Sequence, residues 1–192
     1  SLLSFEYKVQ SKNIRIVSVC ILNDSKAPVH EHIQETAFAK VATEYLEHIG
    51  ILFKIVKRIP YTEDLTHWDV DQGLRLRRIC GDESDIRIVF SNQEISKKDF
   101  QHFETSDPQN DTEPSILGGS SNALYGYILI YESEKRYQEV TSFRESKLLI
   151  VLRHEIGHLF YLDHSMDKTS FMYPSLFHTH GLWTDAIKDK LF

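Results

Sequence analysis

Five consecutive residues, His154-Glu155-Ile156-Gly157-His158, set two imidazoles four positions apart with a carboxylate between them. On a helix each residue advances by about 100°, so the two histidines share nearly one azimuth, one turn apart, and both can reach a single ion. Glu155 falls beside the pair, where a carboxylate serves as a general base toward water and not as a ligand. Catalytic zinc usually takes three protein ligands and keeps one position for water, and His164 is the natural third. On an uninterrupted helix His164 would point about 100° away from the pair and lie about 9 Å beyond His158. The helix must therefore stop between them.

Other assignments of these residues are weaker. A lone pair of histidines at this spacing also occurs on ordinary solvated helices. Asp163 and Asp167 could replace His164, since carboxylates bind zinc, although Asp163 suits a turn better. A downstream Glu as third ligand is excluded, because no Glu follows Glu155. His30, His32, His48, His67 and His102 have no partner at ligand spacing and are expected at the surface.

The surrounding pattern supplies the elements that must hold the site. With His154 at zero, Leu148, Leu149, Leu152, Ile156 and Leu159 fall at roughly 120° to 220°, so one face of this helix is apolar and the histidine face opens on a cleft. Ser142 and Glu145 have the spacing of a capping box at its start. Upstream, 14–22 reads as a buried strand. A long amphipathic helix follows over 28–49, with Ile33, Ala37, Phe38, Val41, Tyr45 and Ile49 inward and Gly50 as its left-handed cap. Strands are expected at 51–59, 85–90 and 125–131, a helix or turn at 65–79, and a short terminal helix at 184–192. The stretch 104–122 is rich in Asp, Asn, Pro, Gly and Ser and reads as a long surface loop. Asp107, Asn110, Asp111 and Glu113 lie in it without the spacing of a known calcium loop, so calcium is not supported.

A chain of 192 residues, 41% of them hydrophobic, can bury one good core. One domain is expected, with an upper part over about 1–164 and a lower part over about 165–192. With 22 Lys+Arg against 28 Asp+Glu and no basic run, a nucleic-acid partner is not expected. No apolar stretch suits a membrane span. The first residues carry no basic and apolar leader pattern, but the chain does not begin with Met, so the compartment stays open. Two cysteines, Cys20 and Cys80, make a disulfide framework unexpected.

The stretch 154–165 (HEIGHLFYLDHS), then 170–174 (SFMYP) and 182–192, resembles the metzincin clan of zinc peptidases and, within it, the matrixins. The likeness is strong over 148–174 and loose elsewhere. It implies an α/β (α+β) zincin fold: a twisted mixed sheet of four to five strands, two long helices, and a small irregular C-terminal part ending in a helix. It implies one catalytic zinc on His154, His158 and His164, Glu155 as base, and Met172 as the residue of the Met-containing turn below the metal. A peptide substrate would lie along the edge strand near Tyr125 and Tyr127, with Tyr173 and Pro174 also at the substrate site, while His178 and His180 either line the pocket wall or are plain surface histidines. The implied activity is that of a zinc endopeptidase, monomeric, extracellular by resemblance alone. The alternative is a zinc-binding interaction domain that has lost turnover; hydrolysis of a non-protein amide or ester is a third reading.

Several positions depart from the family pattern. Tyr161 stands where the family has the Gly that reverses the chain. Ala186 replaces a second Asp, the structural zinc and calcium loops have no counterpart, and Pro174 stands where some metzincins have a Tyr. Arg78-Ile79-Cys80-Gly81-Asp82 echoes the family's inhibitory cysteine switch but falls inside the expected fold, which favours an ordinary structural cysteine. Tyr161 is expected to take a positive φ with its ring anchored by neighbours; the alternative is a helix that runs on slightly and reverses at Leu162 or Asp163.

Overall fold

β-Branched and aliphatic residues crowd Arg15–Asp24, and this segment becomes β1, flanked on both sides by parallel neighbours. Parallel pairing demands crossovers. The first is α1 (Glu31–Ile49), which leads to β2 (Ile51–Tyr61); the second is α2 (Val70–Cys80), which leads to β3 (Ile86–Ser91). β5 (Tyr127–Tyr131) joins β3 in parallel, and β4 (Gly118–Ser121) runs antiparallel to β5 at the far edge. The sheet order is β2-β1-β3-β5-β4. Helices α3 (Thr141–Leu159) and α4 (Asp185–Leu191) complete the chain. The structure, a computed structural model, describes residues 13–25, 31–62, 70–91, 118–121, 126–131, 141–173 and 182–191.

The burial of each strand follows its place. Val19 to Leu22 are buried or nearly so and all of β3 is buried, as expected of strands covered on both faces. β2 at the edge alternates, with Ile51 and Phe53 inward and Leu52 and Lys54 outward. All six apolar residues expected on the inner face of α1 are buried. They pack with Leu148, Val151, Leu152, Ile156 and Leu159 of α3 and with Phe53, Ile88 and Phe90 of the sheet. A smaller cluster, Leu162, Phe171, Met172 and Ile187, lies below α3. Among the described residues no helix is long and apolar enough to cross a membrane.

Three expectations change. The stretch 104–122, expected as a surface loop, contains β4; Gly-Gly-Ser-Ser has no apolar alternation to mark a strand, and its main chain pairs with β5 instead. β5, expected at the substrate edge, lies between β3 and β4. Cys20 and Cys80 form a disulfide between β1 and the end of α2, so Cys80 is no free thiol. Two cysteines far apart in sequence carry no spacing signature; the crossover brings them together.

Candidate metal centre

Three helices end on a left-handed residue, and the third is the one that shapes the site. Gly50 (φ 71°) and Gly81 (φ 84°) cap α1 and α2, each donating its N–H to the carbonyl four residues back, of Leu46 and Arg77. At the end of α3 the same position is Tyr161, with φ 61°. Its N–H reaches the His158 carbonyl at 2.9 Å, and the N–H of Leu162 reaches the Gly157 carbonyl at 3.1 Å. This is the paired bonding of a Schellman cap, in which the reversing residue is usually Gly. The positive φ agrees with expectation; the anchored ring does not, because Tyr161 is 81% exposed. The cap's backbone bonds and the buried Leu162 hold the turn without it.

The reversal returns His164 to the pair. The Nε2 atoms of His154 and His158 lie 3.1 Å apart, and His164 Nε2 is 3.3 Å and 3.2 Å from them. Four-coordinate zinc with ligand bonds of about 2.05 Å spaces its nitrogens about 3.3 Å apart, so the triangle fits the ion. The other ring nitrogens fix the tautomers. His154 Nδ1 donates to the Phe171 carbonyl at 2.9 Å and His158 Nδ1 to the Leu162 carbonyl at 2.7 Å, which leaves the Nε2 lone pairs for the metal. Burial, then the neighbouring His158, holds the His154 imidazole down at about 3, so it stays neutral, the form in which an imidazole can bind a metal. The trio is a group of side chains that could hold a metal ion. Asp163 instead approaches Lys190 at 3.9 Å, and Asp167 accepts the N–H and hydroxyl of Thr169.

Glu155 lies beside the triangle and is buried. Desolvation pushes its carboxyl up to about 7, against the opposing pull of the Ser120 hydroxyl, which donates to Oε2 at 2.8 Å. The histidine side of α3 is thus less open than its pattern implied: Arg153, His154 and Glu155 are all buried. The segment carrying Met172 covers it from below. A Cβ on Gly157 would come within 2.5 Å of Met172 Sδ and 3.1 Å of a Phe171 ring carbon, so only Gly admits this close packing.

A bracket behind the metal helix joins three parts of the chain. Glu44 Oε2 on α1 accepts hydrogen bonds from Arg153 Nη1 and from Trp183 Nε1, each at 3.0 Å. The Arg153 guanidinium sits 5.5 Å from the centre of the Phe171 ring, which also packs on Trp183. Burial keeps the Tyr45 phenol protonated, and it donates to the Arg153 carbonyl at 2.9 Å. The Phe171 carbonyl that orients His154 is therefore held by its own side chain's packing. His48, expected at the surface, is half-buried and stacked on Trp183.

The family model described as Matrixin matches residues 52–185, more than half of the chain. The chain belongs to the matrixin family. As a matrixin it is a metzincin-like, zinc-dependent metallopeptidase and hence a hydrolase. No curated protein matches the sequence. Solved structures share its fold at low identity. Archaemetzincin from Methanopyrus kandleri aligns with TM-score 0.57 and 16% identity over 91% of this chain and 93% of its own. A zinc-dependent peptidase from Methanocorpusculum labreanum gives 0.54 and 14% over 91% and 100%. Metalloproteinase-II from Bacteroides fragilis gives 0.59 and 14% over 94% and 53%.

The structure brings together His154, His158, His164, Glu155 and Met172 of the residues singled out in this matrixin sequence. Tyr173 follows Met172 and is half-buried; Tyr127 opens β5. Tyr125, Pro174, His178 and His180 and the residues considered for calcium lie outside the described residues, as do His30, His67 and His102. Ser120 and Glu44, outside any motif of the sequence, and Trp183 also belong to the site. Arg153 carried a usable signal, a lone charge inside the apolar run before His154; Ser120 carried none.

Proposed function

We propose that the protein is a zinc endopeptidase with His154, His158 and His164 as the metal ligands and Glu155 as general base. The observation that supports this most is the triangle of Nε2 atoms, sized for zinc, with a buried carboxylate beside it. Zinc in that position supplies a Lewis acid that polarises a carbonyl and acidifies water. Glu155 takes the proton of the attacking water and passes it to the leaving amine, a role suited to a carboxylate whose burial raises its proton affinity toward neutrality. The peptide lies extended beside β4, adding a strand through main-chain hydrogen bonds. Cleavage within a chain, and not at its end, suits a substrate laid along an edge strand.

A zinc scaffold without turnover has less support. Tyr161, which departs from the family's Gly, reverses the chain and leaves His164 beside the other two histidines. A scaffold also has no use for a carboxylate buried at a cost. The test is metal content together with cleavage of an unfolded protein and of end-blocked peptides, with and without chelator. Glu155→Gln is expected to keep zinc and lose several orders of magnitude in kcat; His164→Ala is expected to lose both zinc and activity. Near-parental turnover by Glu155→Gln would overturn the base assignment. Full zinc content in His164→Ala would overturn the ligand set.

A further inference from the structure

We infer that Ser120 is a positioning residue for the Glu155 carboxylate, tying the base to the edge strand along which the substrate is laid. The inference rests on the proposed role of Glu155 and adds to it a residue from a different part of the chain. Glu155 is fixed at its backbone in α3, but three side-chain torsions separate that backbone from the carboxylate. Ser120 Oγ donates to Oε2 at 2.8 Å across 35 positions of sequence. Among the described residues no hydrogen bond engages Oε1. One oxygen is therefore anchored and the other left to take a proton, a division that fixes which lone pair faces the reacting water.

The placement of Ser120 gives this bond its meaning. Side chains on a strand alternate between faces, and Ser120 presents its hydroxyl to α3 while its backbone pairs with Ile128 of β5. Among the described residues β4 is the outermost strand on this side of the sheet. Serine is not favoured in strands on propensity, and four residues of Gly-Gly-Ser-Ser contribute little apolar burial. What this serine supplies is a short, stiff donor: it has a single side-chain torsion, so a strand held in register holds the carboxylate. Peptide pairing along β4 then steadies the same strand that carries the donor, and binding energy from remote substrate residues reaches the base.

Kinetics on the zinc-loaded protein separate positioning from a merely structural bond. Ser120→Ala is expected to lower kcat about tenfold with KM within about twofold and zinc content unchanged, the loss of a hydrogen bond to a charged group. Ser120→Thr, which keeps the hydroxyl, is expected to restore most of kcat. Ser120→Cys, similar in size but a poor donor, should behave as Ala and serves if the Ala variant does not fold. In a Glu155→Gln background, Ser120→Ala should cost nothing further. If Ser120→Ala and Ser120→Cys melt lower yet turn over at the parental rate while Glu155→Gln is inactive, Ser120 is structural and the inference fails. If Glu155→Gln is itself fully active, the base assignment fails instead, and the two failures are distinguishable.

Discussion

Replacing Tyr161 by Gly and by Ala in parallel tests how the chain reverses toward His164. At φ 61° a side chain is strained by about 1–2 kcal/mol, which Gly relieves and Ala does not. Gly also adds freedom to the unfolded chain, costing about 0.4–1 kcal/mol relative to Ala. The balance favours Gly over Ala by about 0.7 kcal/mol. In an ordinary helix the order is the reverse, with Ala ahead by about 1 kcal/mol. Loss of the ring is common to both variants and small, because Tyr161 is 81% exposed; roughly a fifth of an aromatic burial is about 0.4 kcal/mol. For a chain of 192 residues the Gly variant should melt about 2 °C above the Ala variant. Thermal unfolding is followed by circular dichroism, once with chelator and once at fixed zinc, since a ligand bound only to the native state raises the midpoint by mass action. An Ala variant that melts above the Gly variant would refute the strained reversal.

Two further outcomes follow from burial around the site. Glu155 has its carboxyl at about 7 in the folded protein against an ordinary 4.5, so the native state holds that proton more tightly than the unfolded chain and loses stability as pH rises through this window. Metal-free Glu155→Gln should accordingly exceed the metal-free parent by up to about 3 kcal/mol at pH 8 and converge with it near pH 4.5; urea unfolding showing the same gap at both pH values would contradict this. Gly157→Ala should gain about 1 kcal/mol in helix propensity but lose about 1–3 kcal/mol to overpacking on Met172 and Phe171, and Met172→Ala should cost less in that background than in the parent. Strict additivity of those two changes in denaturant unfolding would show that Gly157 and Met172 do not press on each other.

What could be read from the sequence was whatever periodicity or local chemistry encodes. α1 declared itself through Ile33 to Ile49 at helical spacing, and the metal helix through His154 and His158 on one face. The end of α3 followed from His164, because geometry forbids a continuous helix there. β4 stayed hidden because Gly118 to Ser121 have no side-chain pattern, and pairing with β5 is a long-range backbone event. The same limit hid Ser120 and Glu44. Each acts through a partner 35 or 109 positions away, and a single polar residue among many gives no sign of which distant group it will meet. The partial cover over the histidine face of α3 was also out of reach, since a helical wheel cannot show that Phe171 and Met172 fold back beneath it.

The bond between Cys20 and Cys80 ties β1 to the second crossover across 60 positions of sequence. Closing a loop of that length removes disorder from the unfolded chain worth about 4 kcal/mol in the simplest entropic account, comparable to a large part of the net stability of an ordinary domain. Both cysteines are completely buried, so reductant meets the bond through unfolding and not at the surface. The nascent chain thus depends on the thiol balance of its surroundings: in an oxidising medium the staple closes as the sheet assembles, whereas in a reducing one the same sequence must fold on packing alone. The fraction of soluble, metal-competent protein recovered from oxidising and from reducing expression hosts is, for this matrixin, a direct reading of how much its sheet relies on one covalent link.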